Sequence, residues 1–191
     1  MSKMEPVPLF YQTGYLTLKS YDPEDMVFTL GYPNREVERG ILRNILDVYA
    51  PGNGGLSSNI SKMKKSLREG NPKDFITVLE SFLSGIPAKL HTHVSKYENY
   101  YHTIFYCIIE LIGIDIQAEY STSKGYIDIL IKTDKYIYII ELKINGVAED
   151  AIKQIDEKDY TSPFKSDSRK LFKIGIGFSK KTHSIDSSII I

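Results

Sequence analysis

The sequence predicts an α/β protein: a mixed β-sheet flanked by helices, preceded by a small hairpin-and-helix module. Three observations predict it. Residues 125–131 and 136–144 are β-branched and aromatic runs separated by a short polar break, and so read as the strands of a hairpin. Helical apolar spacing runs through residues 92–112 before them and 148–160 after them. A further apolar run at 170–179 completes the order helix, three strands, helix, strand, with the first strand around 114–120.

Taken in order, residues 9–19 and 26–32 resemble strands flanking the turn-rich stretch 20–25. Asn34 is placed to cap a helix running to Tyr49, with Val37, Ile41, Ile45 and Val48 at core-like spacing. The cluster Pro51, Gly52, Asn53, Gly54 and Gly55 stops that helix. It is a linker rather than a phosphate-cradling loop, because no Gly-Lys-Ser/Thr follows and a helix precedes it. Residues 57–69 form a basic helix with Lys62, Lys64, Lys65 and Arg68, either a solvated face or a contact for backbone phosphates. Asn71 and Pro72 start the next helix, whose apolar side holds Phe75, Val78, Leu79, Phe82 and Leu83, and which stops near Gly85. The long helix of 92–112 carries Val94, Tyr101, Phe105, Cys107, Ile108 and Ile112 and ends at Gly113. In the helix of 148–160, Ala151, Ile152 and Ile155 point inward, and residues 163–169 are loop.

With 191 residues, the chain accommodates one substantial domain and a smaller appendage, drawn here as an accessory module over 1–90 and a main domain over 91–191. A hydrophobic content of 42% against 25% charged residues is that of a packed protein rather than a disordered one. Zero net charge gives no global electrostatic case for nucleic-acid binding, so any such binding must use local patches. Cys107, the single cysteine, excludes a disulfide framework and fills core space. The N-terminus lacks an apolar signal region and no apolar stretch reaches membrane-spanning length, which leads to an expected cytoplasmic location.

Chemistry enters through the hairpin. A two-residue turn at Asp134 and Lys135 pairs Thr133 with Tyr136, and counting equally along both strands puts Asp128 opposite Glu141, with Cβ atoms about 5 Å apart. Two carboxylates that close repel and are costly to bury unpaired. A divalent cation removes the conflict: Mg²⁺ binds through one or two carboxylates and keeps positions for water and phosphate. Alternation puts Lys143 on the Glu141 face, where an ammonium could orient attacking water. The competing reading is a hairpin with one wet face carrying three solvated charges.

On the long helix, Glu98 lies beside the apolar stripe, one turn from His102. Glu98 could be a third ligand to metal or water and His102 a proton carrier or phosphate contact; equally, Glu98 could be a boundary carboxylate near a helix N-terminus. His91 and His93 read as loop residues, since no further metal-binding type is near them in sequence. No Gly-x-Ser-x-Gly elbow is present.

The pattern resembles the PD-(D/E)XK nuclease superfamily. The residues that carry the likeness are Tyr97-Glu98-Asn99-Tyr100-Tyr101-His102, Lys124-Gly125-Tyr126-Ile127-Asp128, Glu141-Leu142-Lys143, Gln154 and Tyr160, over roughly residues 92–180. It is most similar to the nuclease-like domain found at the C-terminus of bacterial AAA-ATPase-like proteins. The resemblance implies a restriction-endonuclease-like αβββαβ core, Asp128 and Glu141 as ligands of Mg²⁺ or Mn²⁺, and Lys143 as the catalytic lysine. It further implies Glu98 as an accessory acid, Gln154 as an auxiliary polar residue at the active centre, and His102 and Tyr160 as substrate contacts. Tyr126 stands where such domains often carry a basic residue; Lys124 is the substitute phosphate contact. Relatives place an ATPase-like domain ahead of the segment resembling residues 9–90, whereas no phosphate loop occurs here, so the first module reads as a connector with exposed apolar surface that favours a homodimer. The expected function is Mg²⁺-dependent cleavage of nucleic acid, DNA by resemblance. The alternative is a catalytically silent module of the same fold that binds nucleic acid or a protein, including regulation of a separate ATPase.

Overall fold

The computed structural model of the chain describes residues 6–50, 55–86, 97–179, 181–182 and 184–191, the side chains of 97–102 excepted. The chain divides into two compact units, Met1–Ile45 and Leu46–Ile191.

In the first unit, α1 (Pro6–Gln12) is followed by the antiparallel pair β1 (Thr17–Asp22) and β2 (Val27–Gly31). The strand expected over 9–19 therefore begins as helix. Pro6 suits a first helical position, and Gly14, at φ 79°, then turns the chain out of the helix. The hairpin turn is held by Asp22 Oδ1, which accepts from the backbone of Glu24 at 2.9 Å and of Asp25 at 3.3 Å. Asn34 caps α2 (Arg35–Tyr49), a helix whose residues from Leu46 onward belong to the second unit, by accepting from the Val37 amide at 2.9 Å. The buried residues of α2 are Leu42 and Leu46, while Val48, expected inward, is exposed. The helix carries a broad apolar stripe, and its buried centre lies one residue away from the spacing chosen from sequence.

The second unit holds a five-stranded sheet in the order β3-β4-β5-β6-β7. The strands are β3 (Asp115–Thr122), β4 (Gly125–Lys132), β5 (Tyr136–Ile144), β6 (Lys170–Ser179) and β7 (Ser184–Ile190). All neighbours are antiparallel except β5 and β6, which run parallel and are joined by the crossover helix α6 (Ala148–Glu157). β7 has weak sequence signal: three serines and an aspartate interrupt its isoleucines, as befits an edge strand. Its Ser187 Oγ accepts from the Ala148 amide at 2.9 Å, capping an α6 whose own preceding residue, Val147, has no side chain able to do so. A side chain at Gly175 would meet the Ala148 carbonyl at 2.5 Å, so glycine on β6 lets the helix approach the sheet.

Three further helices complete this unit: α3 (Leu56–Glu69), α4 (Pro72–Ser84) and α5 (Tyr97–Ile112). The boundary drawn at residue 90 does not coincide with the division of the chain, because α3 and α4 belong to the unit that contains the sheet. Tyr138 of β5 donates its buried hydroxyl to the Leu67 carbonyl at 2.7 Å, and Met63, Leu67, Leu79, Phe82 and Leu83 are buried. The turn between α3 and α4 needs Gly70, whose φ is 73° and where a Cβ would fall 2.3 Å from the Tyr136 ring. Beneath α6 lies a core of Ile127, Leu130, Ile137, Ile139, Ile152, Ile155, Tyr160 and Phe164. Cys107 is buried as expected, and burial, helped by the Glu110 charge, pushes its thiol up to about 11. Among the described residues no helix is long and apolar enough to cross a membrane.

Candidate active site

The β4–β5 hairpin closes through a two-residue turn, with the Thr133 amide donating to the Tyr136 carbonyl at 2.8 Å. Ile129 pairs with Ile140, Leu130 with Ile139, Ile131 with Tyr138 and Lys132 with Ile137, the register counted from sequence. One step further out the backbone ladder gives way to side chains. The Asp128 amide donates to Glu141 Oε1 at 3.2 Å, and the Leu142 amide donates to Asp128 Oδ2 at 2.8 Å. Each carboxylate thus takes a hydrogen bond from the other's strand. The neighbouring β3–β4 ladder opens at the same level: Ala118 pairs with Ile129 and Tyr120 with Ile127, leaving Glu119, at φ 51°, opposite Asp128.

Glu141 is fully buried, and its pKa is pushed up to about 8, first by burial and then by the Asp128 charge; the Asp128 amide and the Lys143 ammonium pull the other way. From α6, Gln154 Nε2 donates to Glu141 Oε2 at 2.7 Å, while its Oε1 accepts from Lys143 Nζ in a short contact. Asp128, Glu141, Lys143 and Gln154 therefore form one hydrogen-bonded array. Asp128 also lines a cleft of about 420 Å³ beside α5, with Phe105, Ile109, Glu119, Ile129 and Leu142 among its walls.

The remaining predicted positions fall elsewhere. Tyr160 is only 2% exposed and belongs to the core under α6, so its ring is not available as a substrate contact. The reason is local: Tyr160 follows the end of α6 closely, its amide donating to the Ile155 carbonyl at 3.0 Å, which keeps it with the helix's buried face. Lys124 lies in the turn before β4, exposed, with Nζ 3.7 Å from Asp159 Oδ2. Tyr126 is 63% exposed. Glu98 and His102 are on α5, but their side chains lie outside the described residues, as do His91 and His93 altogether. Glu119 was not singled out from sequence, although counting register across β3–β4 as well as β4–β5 would have placed it opposite Asp128.

The donor set suits a hard divalent cation: two carboxylates on adjacent strands, one of them with its pKa raised by burial and by its neighbour's charge, beside a cleft, so that a cation would relieve both penalties. Among the described residues there is no group of three or more His, Cys, Asp or Glu side chains able to hold a metal, so water and phosphate oxygens would complete the coordination.

Residues 96–188, the segment that contains this array, match the model of the PD-(D/E)XK nuclease superfamily. The segment is thus similar to the nuclease domains of that superfamily. The chain is also similar to a protein of Azotobacter chroococcum mcd 1 described as "Uncharacterized protein in vnfD 5'region", at 24% identity over 188 residues. That match covers 95% of this chain and 36% of the relative, so the chain spans little more than a third of the relative's length. No solved structure matches.

Proposed function

We propose that this chain is a nuclease that hydrolyses phosphodiester bonds, DNA foremost, with Mg²⁺ or Mn²⁺ held by Asp128 and Glu141. The observation that carries the reading is the opened end of the hairpin, where two mutually repelling carboxylates replace the ladder and are tied to a lysine through Gln154. Once bound, a divalent cation supplies positive charge to the phosphate and lowers the pKa of water.

The chain's own groups set the geometry before substrate arrives. Both Glu141 oxygens accept hydrogen bonds, from the Asp128 amide and from Gln154, which hold the carboxylate plane. Asp128 is held by the Leu142 amide and borders the cleft, where phosphate would enter. The Lys143 ammonium orients attacking water or offsets charge developing on the phosphate oxygens. Apolar walls from Phe105, Ile109 and Leu142 lower the local dielectric and strengthen these interactions. Glu98 and His102 are assigned as an accessory acid and a phosphate contact from α5, and Lys124 as a contact to a more distant phosphate.

The test is calorimetric titration of Mg²⁺ and Mn²⁺ into the wild type and Asp128→Ala, with nicking of supercoiled DNA and cleavage of RNA scored on the same samples. Metal-dependent cleavage that the substitution abolishes is the expected result. Metal binding without cleavage of either nucleic acid would replace the enzyme reading with that of a silent binding module, and absence of metal binding in the presence of DNA would overturn the assignment of the carboxylates.

A further inference from the structure

The first unit, Met1–Ile45, has almost no core of its own. Among its described residues only Leu42 is buried, whereas ten of the fifteen large apolar side chains exposed among the described residues belong to it. A two-stranded hairpin is marginal in water, and so small a unit is ordinarily completed by a disulfide, a metal or a partner. Residues 1–45 contain neither cysteine nor histidine, so neither a disulfide nor a structural zinc site can complete them.

The hairpin gathers its apolar surface on one face. Paired residues of an antiparallel ladder share a face, and faces alternate along each strand. In an unbroken strand Leu18 and Tyr21, three positions apart, would point to opposite sides. The register shift between Leu18 and Ser20 changes this, so that Leu18 pairs with Leu30 and Tyr21 with Phe28. Phe28 and Leu30 are two positions apart, so all four residues lie on the same face, where the Tyr21 and Phe28 rings stack at 4.5 Å. The extra residue, Lys19, lays its stem over Gly31 on the opposite face, where a Cβ would meet it at 3.1 Å, and Ser20 and Thr29 pair on that side. One face is thus apolar and free of charge. Even so, its Leu18, Tyr21 and Phe28 are 45%, 46% and 61% exposed. α1 is tied to the base of the same hairpin: the Leu16 amide donates to the Phe10 carbonyl at 3.0 Å, and the Phe10 and Tyr15 rings meet edge to face at 6.0 Å.

We propose that this face of the β1–β2 hairpin is the centre of a twofold interface with a second copy of the chain. Three features select a second copy. The unit's exposed apolar side chains, about half exposed and roughly 200 Å² each, amount to on the order of 1,000 Å², which matches the roughly 800 Å² that a stable pairing buries on each partner. A twofold axis through an uncharged face sets no like charges against each other, and zero net charge gives no long-range repulsion between copies. Two hairpins packed face to face make a two-layered unit whose core is the four apolar residues of each, the layer that one hairpin lacks. The proposal does not depend on the nuclease reading.

The test is sedimentation equilibrium of the chain from about 1 µM to about 100 µM. The mass should rise from 21.8 kDa to twice that value. Phe28→Lys sets a charge in the middle of the face and should weaken association at least about tenfold, while Thr29→Lys, on the opposite face, should leave it unchanged. A wild type that stays at 21.8 kDa, an association that Phe28→Lys does not weaken, or equal loss in both variants would overturn the proposal. Growth beyond two copies would overturn the closed twofold pairing. Because Phe28→Lys could also unfold the hairpin, hydrogen exchange of the wild type supplies a reading that needs no variant: the amides of residues 17–31 should exchange more slowly at the higher concentration. Protection of these amides that is independent of concentration would mean that no second copy covers the face, and would sink the idea whether or not the protein cleaves DNA.

Discussion

At the closed end of the β4–β5 hairpin the polar groups of Thr133 and Arg169 meet partners of opposite character. Thr133 Oγ1 accepts from the amides of Tyr136 at 2.9 Å and Lys135 at 3.3 Å, and Arg169 Nη1 donates to the Thr133 carbonyl at 3.0 Å while its other nitrogens grip Asp167. At the open end, only a few residues along the same two strands, Asp128 and Glu141 draw on backbone amides and Gln154, and still repel each other. The difference shows how one supersecondary unit divides its tasks. The closed end holds the register, and because it does, the open end can keep two like charges together that would otherwise spring apart.

Glu141→Gln tests this contrast most severely. It should reduce cleavage at least about 10²-fold and at the same time stabilise the metal-free protein. The sign follows from the raised pKa: the folded state binds a proton more tightly than the unfolded chain, so this group favours folding at low pH and the contribution is lost as pH rises from the ordinary carboxylate range to about 8. The wild type's thermal midpoint should therefore fall across that window, and the variant's should not, gaining on the order of 1 kcal/mol, or about 3 °C, at its upper end. Parallel pH–melting profiles of the two proteins would refute the account.

Lys143→Ala should lower kcat by about 10²-fold while leaving the calorimetric affinity for Mg²⁺ within a few-fold, because the ammonium is not a ligand. A matching collapse of metal affinity would show that Lys143 holds the carboxylates rather than acting on water or phosphate.

Thr133→Ala addresses the closed end alone. It removes the hydroxyl that organises the turn and should cost about 1 kcal/mol of stability, visible as a lower urea midpoint, with kcat unchanged. Loss of activity there would mean that turn and site are less separable than the geometry implies.

The smallest effect belongs to Asp167. Its hydrogen bonds from Arg169 hold its carboxyl at about 2, below the usual carboxylate range. A depressed acid pKa stabilises the fold above the ordinary range, and the contribution disappears as pH falls through about 2. Side-chain ¹³C titration should find this midpoint, and Arg169→Gln should move it back toward ordinary values.

Much of this was legible because it is local. The hairpin strands, their two-residue turn and the facing of Asp128 and Glu141 follow from alternation and counting, since a one-residue slip would turn every side chain to the other face. The Asn34 and Asn71 caps follow from residue type next to a periodic segment, and both form: the Val37 and Asp74 amides donate to them. The start of the chain departs from its expected strand because Leu9, Phe10 and Tyr11 suit strand or helix equally over so short a run, and Thr13 and Gly14 decide where the helix ends.

The sequence by itself determined the α/β character, the hairpin register and which acids and lysine could share an end of it, because pairing parity and helical period are written into neighbouring residues. Only the tertiary structure decided that Gln154 would bridge Glu141 to Lys143, that Tyr160 would be buried, that Glu119 would stand opposite Asp128 with both ladders open, and that Ser187 would cap α6. Those outcomes depend on how a crossover helix settles over the strands beneath it, which is fixed by packing between residues far apart in the chain, and no local periodicity carries that information.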